Sequence, residues 1–306
     1  MKTLNFITTS LFLFFFLGAT AQVDKEIVND LKQASTIYIV TVDDGSISQE
    51  ANKALDETVR STWKFTKAQF VTKTLSEMKN ANSNNPCVYL INDVHAVAYY
   101  SNMTSLVSKD FSFLGIGYYR DEKFLEEDKF RTLLLPRNPS ATDVVYAVRL
   151  ITQGVAYTTK YPDEKAPVTA GTPVPHYRLV KETKGQLAKK TLLIDKTQLS
   201  SKLDEAAIKE NYSYPFKIVD AAEIETAIKN RDPKYAYVQA APYVIVPSNG
   251  GPLLVSAHHI ISTDKGELLS YSKMMNVSLT WKADDLKIVK INLKNYIRNS
   301  EGKGDD

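Results

Sequence analysis

Short apolar runs alternate with amphipathic segments along most of the chain. The apolar runs are rich in β-branched and aromatic residues, which favour strands; among them are TIYIVTV at 36–42, CVYLI at 87–91, TLLI at 191–194 and YAYVQ at 235–239. In the intervening segments apolar residues recur at helical spacing. The clearest case follows Ser48, a predicted N-cap, and has on one face Ala51, Leu55, Val59 and Trp63. The pattern predicts an α/β protein.

The order of these elements occurs twice in the sequence. ALDE at 54–57 and KLDE at 202–205 are 148 positions apart, and the same offset relates CVYLI to YAYVQ. An offset of 147 or 148 also relates 97–108 to 244–256. Each similarity is weak alone, but one shared offset across several elements predicts an internal duplication.

Each copy is predicted to begin β-α-β-α-β, with helical crossovers that favour parallel strands. The second half of each copy has α+β character, because its β-rich runs are joined by hairpin-like turns. In the later copy these turns are SNGG at 248–251 and the segment from Asp264 to Gly266. We interpret SNGG as a turn rather than a phosphate-binding loop, since no clear helix start follows it.

A helix is predicted to close each copy. In the first copy it opens at Asn138 and Pro139, where proline suits the first turn. In the second copy residues 286–297 fit helical spacing and also alternate like a strand, and residues 121–135 are equally ambiguous. The predicted fold is therefore two tandem homologous α/β domains, each ending in antiparallel strands and a helix.

The first 21 residues have the features of a signal peptide. Lys2 precedes an apolar run at 6–17, and the small residues at 19 and 21 mark a cleavage site. The alternative, a membrane-anchoring helix, requires about 20 apolar residues, more than this run supplies. We expect residues 1–21 to be removed. This predicts an exported protein, periplasmic or extracellular, with no transmembrane segment after cleavage.

The repeat also predicts where the domains begin and end. The segment between the copies contains four prolines, which disfavour regular structure and are typical of a linker: Pro162, Pro167, Pro173 and Pro175. The last residues have no apolar side chain to bury. The predicted layout is a first repeat domain at 22–162, a linker at 163–188, a second repeat domain at 189–299 and a disordered tail at 300–306.

Composition and motifs exclude several classes of function. The formal net charge is +3 and the lysines are scattered, so the chain lacks the basic footprint of a nucleic-acid-binding protein. The single cysteine, Cys87, lies in an apolar run and is interpreted as a small buried hydrophobe, so no disulfide framework is expected. The sequence has no nucleotide-binding, hydrolase or metal-binding motif. We therefore assign no catalytic residue, cofactor or metal.

Four polar residues are candidates for a binding site. Asp93 and His95 follow the predicted strand at 87–91, and ligands often bind where the strands of open α/β sheets end. A histidine in a turn is the structural alternative. His258 and His259 are adjacent in a predicted strand, so their side chains point to opposite faces and do not readily ligate one metal together. We expect one of them to face the core and the other to face solvent or a cleft.

Tyr118, Tyr119 and Arg120 form a further candidate group. Neighbouring strand residues face opposite ways, so one tyrosine of the pair is expected to stay exposed. An exposed tyrosine suits a protein interface or stacking on a sugar ring. Packing at the edge of the core is the alternative.

A duplicated domain creates a cleft or a pseudo-symmetric face between its copies, which is a natural binding site. The sequence accordingly predicts an exported, non-catalytic binding or assembly protein of the cell envelope, with a protein partner or a small ligand in the interdomain region. Two alternatives stay open. One is a periplasmic solute-binding protein, and the other is an exported hydrolase that uses His95 with Asp93.

Overall fold

The computed structural model describes residues 25–79, 84–99, 106–120, 123–124, 133–161, 176–245, 253–273 and 287–303. The predicted signal peptide, the SNGG turn and the four prolines at 162–175 lie outside these residues. The helices are α1 (Lys25–Gln33), α2 (Gln49–Thr62), α3 (Leu75–Lys79), α4 (Ala141–Lys160), α5 (His176–Glu182), α6 (Glu205–Asn211), α7 (Ala221–Lys229) and α8 (Lys290–Ser300). The strands are β1 (Thr36–Thr41), β2 (Gln69–Thr74), β3 (Cys87–Tyr99), β4 (Leu106–Gly117), β5 (Tyr119–Arg120), β6 (Lys123–Phe124), β7 (Leu133–Pro136), β8 (Thr191–Asp195), β9 (Phe216–Val219), β10 (Tyr235–Ile245), β11 (Leu253–Ser262) and β12 (Leu268–Lys273).

The strands form two mixed sheets with the same arrangement. The first sheet has the order β2-β1-β3-β4-β7 and the second has the order β9-β8-β10-β11-β12. In each sheet the first three strands are parallel and the last two are antiparallel. The predicted α/β class is confirmed, and β-α-β-α-β followed by antiparallel strands and a helix occurs in both halves.

Helix α4 lies between the two sheets. One buried cluster joins the inner face of the first sheet, helices α2 and α4, and one face of the second sheet; it includes Ile39, Leu90, Leu55, Val148, Tyr237 and Ile261. A second cluster joins the opposite face of the second sheet to α6 and α8, and includes Leu192, Val238, Ile208 and Leu293. The described part of the chain therefore forms four layers in the order sheet, helices, sheet, helices.

Local signals explain how the two long helices of the first half begin. Ala51 N donates to the Ser48 side chain at 3.1 Å, so the predicted N-cap is confirmed. Helix α4 begins later than expected from Asn138 and Pro139. Its N-cap is Ser140, which forms a capping box with Asp143.

Part of the predicted linker is helical. Helix α5 lies within 163–188, and its Leu179 and Val180 are buried because they pack against the main core. The expectation of irregular structure is wrong for these residues. His176, the first residue of α5, therefore belongs to a helix and not to an extended linker.

The end of the chain is more ordered than its composition suggests. Residues 290–300 form α8, which decides between the two predicted conformations, and Ser300 is fully buried. Lys303 N donates to Arg298 O, and Gly302 adopts a φ of 70°, so the helix ends in a closed turn. The prediction of a disordered tail at 300–306 is wrong for 300–303, and residues 304–306 lie outside the described part.

Candidate functional site

A stripe of polar side chains runs along one side of α4. Its members are spaced by three, three and four residues, which places them on one helical face: Asp143, Tyr146, Arg149 and Gln153. The flanking positions are apolar and buried, including Val144, Val148 and Ile151. The polar face contacts the second sheet, so we call it the α4 polar stripe.

The two ends of the stripe hydrogen-bond to the second sheet. Gln239 Nε2, on β10, donates to Asp143 Oδ1 at 2.8 Å. At the other end, Leu268 N, at the start of β12, donates to Gln153 Oε1 at 3.0 Å. Because side-chain hydrogen bonds depend on direction, they fix how α4 lies across the strands.

The middle of the stripe contacts one of the two adjacent histidines. Tyr146 Oη lies 2.6 Å from His259 Nδ1. On the opposite face of the sheet, Tyr296 Oη of α8 lies 2.7 Å from His258 Nδ1. The opposite orientation of the histidines agrees with strand alternation, but the expectation that one faces solvent or a cleft is wrong, since each is 1% exposed. Each histidine joins the sheet to the helix that covers its face.

Arg149 is the charged member of the stripe. It is 7% exposed, and its Nη1 donates to Thr263 O at 3.1 Å. Burial lowers the pKa of Arg149; Tyr237 opposes this change and Arg231 adds to it. The aliphatic part of the side chain packs against Gly266, where a Cβ would overlap it and where φ is 71°. This glycine allows both the turn and the close approach of the arginine.

The backbone around Asp93 and His95 differs from the expectation. Strand β3 continues to Tyr99, so the pair lies within a long hairpin and not beyond a strand end. The ladder with β4 is irregular between Ile91 and Val94, which places Asp93 in a bulge, and His95 lies opposite Asp110. This removes the positional argument for a ligand site or a hydrolase at these two residues.

The neighbouring Asn92 makes contacts that the sequence did not indicate. Its Nδ2 donates to Ser46 O at 3.0 Å, and its Oδ1 accepts from Ser112 Oγ at 3.1 Å. The bulge therefore connects β3 to the loop after β1 and to β4.

The group at 118–120 lies in and before a small hairpin. Tyr119 is 3% exposed, whereas Tyr118 is partly exposed and donates to Asp30 Oδ2 of α1 at 3.1 Å. Arg120 lies opposite Lys123 in the β5–β6 ladder. These residues are separate in the chain from the α4 polar stripe, and Tyr118 contacts α1 rather than α4.

The outward side of α8 is a second candidate surface. Ile291 is 56% exposed and is the one exposed large apolar residue in the described part of the chain. Lys290, Lys294 and Arg298 recur every four residues beside it, and α8 contains no carboxylate. We call this the α8 basic surface.

Sequence reasoning identified His258 and His259 but did not identify the polar residues of α4. A signal existed, because the four polar residues recur at helical spacing through the largely apolar segment at 143–155. In the portion of the chain that is described, no helix has the length and apolarity needed to cross a membrane. Nor do these residues include three or more His, Cys, Asp or Glu side chains grouped to hold a metal. Comparison with protein-family models, curated proteins and solved structures finds no match to this chain.

Proposed function

We propose that the chain is an exported, non-catalytic binding or assembly protein of the cell envelope, built from a duplicated α/β domain. Support for the duplication comes from the shared strand order of the two sheets. Cys87 and Tyr235 are 148 positions apart, and each begins the third strand of its sheet. A repeat detected in the sequence and a repeat of topology thus coincide at these two residues.

The ladders indicate how the two units have diverged. Ile91 lies opposite Phe113 in the first sheet, and Gln239 lies opposite His259 in the second. Phe113 is thus the counterpart of His259, and the shared topology does not require a histidine there. This supports a role for His259 in the contact with α4 within the chain, rather than an ancestral catalytic role.

The binding proposal rests on the observation that α4 packs through two of its sides. This helix packs on its own unit through one side and on the second sheet through the α4 polar stripe. Helix α8 is the topological counterpart of α4, and its outward side is the α8 basic surface. We propose that this surface docks a protein partner with an acidic rim, because the helix has cations around an exposed isoleucine and no carboxylate.

Photo-crosslinking tests the docking surface. The mature protein would carry p-benzoylphenylalanine in place of Ile291. A second version of the same protein, labelled instead at the exposed Glu57 of α2, is the matched control. We expect one specific protein adduct from the label at 291 in the native envelope. Adding Lys290→Glu and Lys294→Glu should reduce the adduct about tenfold. No adduct above the Glu57 control would contradict the docking proposal, and an adduct insensitive to charge reversal would contradict an acidic partner.

The proposed export has its own test. Amino-terminal sequencing of the protein recovered outside the cytoplasm should give Gln22 as the first residue. A protein that retains Met1 and stays in the cytoplasm would contradict this part of the proposal.

A further inference from the structure

The contact between α4 and the second sheet joins two different surfaces of the two units. Helix α4 closes the first unit and lies on the face of the second sheet that carries Tyr237, Gln239 and His259. These three residues are buried, at 9% exposure or less. Within one chain, the closing helix of one unit therefore covers the sheet of the other unit.

The corresponding face of the first sheet is less fully covered. Tyr89, Ile91 and Phe113 hold there the same ladder positions as those three residues, and we call this the outer face of the first sheet. Ile91 and Phe113 are partly exposed, although their counterparts in the second sheet are buried. Among the described helices, the five-residue α3 packs on this face, through Leu75 and Met78. Partly exposed apolar and aromatic side chains of this kind suit a protein interface.

Helix α8 holds in the second unit the place that α4 holds in the first. Each helix begins with an N-cap whose backbone N–H donates to the side chain three residues further on, Asp143 in α4 and Asn292 in α8. At equal spacing from these two residues lie Arg149 of the α4 polar stripe and Arg298 of the α8 basic surface. The α8 basic surface is therefore on the side of α8 that corresponds to the contact of α4 with the second sheet.

Exposed carboxylates lie beside the outer face of the first sheet. Asp43 and Asp44 follow β1, and Glu77 belongs to α3. Ser76 of α3 donates to Asp43, which holds the loop after β1 close to α3. This loop begins beside Ile91, the counterpart of the residue that binds the first turn of α4. A helix placed on the outer face as α4 lies on the second sheet would bring its first turn near these carboxylates.

We propose that the partner of the α8 basic surface is a second copy of this chain, which presents the outer face of its first sheet. This inference rests on the proposed docking function of α8 and names its partner. Ile291 packs on the apolar outer face, while Lys290 and Lys294 face Asp43 and Asp44. Because the two surfaces differ, the contact is heterologous and the chains associate head to tail.

Two variants of the mature protein test this contact by analytical ultracentrifugation over a concentration series. The average mass of the wild-type protein should rise with concentration. Lys290→Glu with Lys294→Glu changes the α8 basic surface alone and should weaken self-association about tenfold. Phe113→Lys changes the outer face alone and places a cation opposite the lysines, so it should weaken self-association at least as much.

An equimolar mixture of the two variants is the decisive sample. It retains one intact α8 basic surface and one intact outer face on different chains, so it should form a dimer of one chain of each variant. Melting temperatures check that both variants fold. If Phe113→Lys does not fold, Ile91→Gln replaces it, because glutamine is the residue at the counterpart position in the second sheet.

Photo-crosslinking of the purified protein locates the contact. With p-benzoylphenylalanine in place of Ile291, we expect an adduct of doubled mass whose linked peptide contains Ile91 or Phe113, and no such adduct from the label at Glu57. Wild-type protein or an equimolar mixture that stays monomeric at every concentration would overturn the proposal, as would an adduct that maps to another surface. If the label at 291 captures a different protein in the envelope but no second copy, this inference fails while the docking function of α8 stands.

Discussion

The two sheets share one strand order but differ in what covers them. The second sheet is buried on both faces, by α4 and α7 on one side and by α6 and α8 on the other. The first sheet has α2 and α4 on one face. Its other face carries a small cluster with Tyr89 and Met78, beneath the five-residue α3.

The side chains on corresponding faces of the two sheets differ according to what covers each face. Where a helix from the neighbouring unit lies on the second sheet, β10 and β11 present polar residues, Gln239 and His259, which bond to α4. At the position of His259, the first sheet has Phe113, whose ring packs against Tyr89 with centroids 5.8 Å apart. The same topology thus presents polar groups toward a helix and an aromatic pair where no long helix covers it.

The largest expected effect comes from Gly115, which lies opposite Tyr89. Its counterpart, Ile261, lies opposite Tyr237 in the second sheet. A Cβ at Gly115 would be 2.5 Å from Tyr89 Cζ, so Gly115→Val must displace a ring that is 4% exposed. We expect the free energy of unfolding to fall by about 3 kcal/mol, measured by urea denaturation.

A second substitution controls for the strand itself. In a Tyr89→Ala background the valine has room, so Gly115→Val should cost much less than in the wild-type chain. An equal cost in both backgrounds would show that the valine disturbs the strand and not the packing of Tyr89.

Much of this architecture could be predicted from the sequence. The alternation of β-branched runs with helical segments gave both the α/β class and the repeated element order, and strand alternation gave opposite faces for His258 and His259. The contacts of α4 could not be predicted, because helical spacing places Asp143 and Arg149 on one face without indicating what lies opposite. The bulge at Asp93 could not be predicted from the sequence either, because an irregular ladder depends on the pairing of β3 with another strand.

A smaller effect is expected from the tyrosines that join each helix to a histidine. Tyr146→Phe and Tyr296→Phe each leave a buried imidazole without its Nδ1 partner. Each should lower the free energy of unfolding by about 1–2 kcal/mol in urea denaturation. Similar costs would indicate that the tyrosine–histidine contact contributes equally to stability on the two faces of the second sheet.

The first sheet suggests the control for this experiment. His259→Phe introduces the residue found at the counterpart position, Phe113. Replacing both polar partners with apolar ones removes the unsatisfied nitrogen, so Tyr146→Phe should cost little in the His259→Phe background. A full cost in that background would rule out the tyrosine–histidine bond as the source of the effect.

The smallest expected effect concerns ion pairs at the edges of the two sheets. Lys190 and Asp264 hold the start of β8 to the β11–β12 turn, and the Lys190 side chain is 10% exposed. In the first unit, Arg60 forms an ion pair with Asp56 and also donates to Phe70 O, which holds α2 to β2; the Arg60 side chain is 42% exposed. The less exposed pair should contribute more to stability and be screened less by salt.

The pH dependence of unfolding measures that contribution. Burial alone would raise the pKa of Asp264, but the hydrogen bond and charge of Lys190 lower it below the ordinary 3.8. Because the folded pKa is the lower one, this stabilisation is present above about pH 4 and is lost as the pH falls further. Asp264→Asn should cost about 1 kcal/mol at pH 7, and the cost should decrease steadily as the pH falls below about 4. Lys190→Met should show the same loss of pH dependence, and a cost of Asp264→Asn that does not decrease with falling pH would contradict a role for the ion pair.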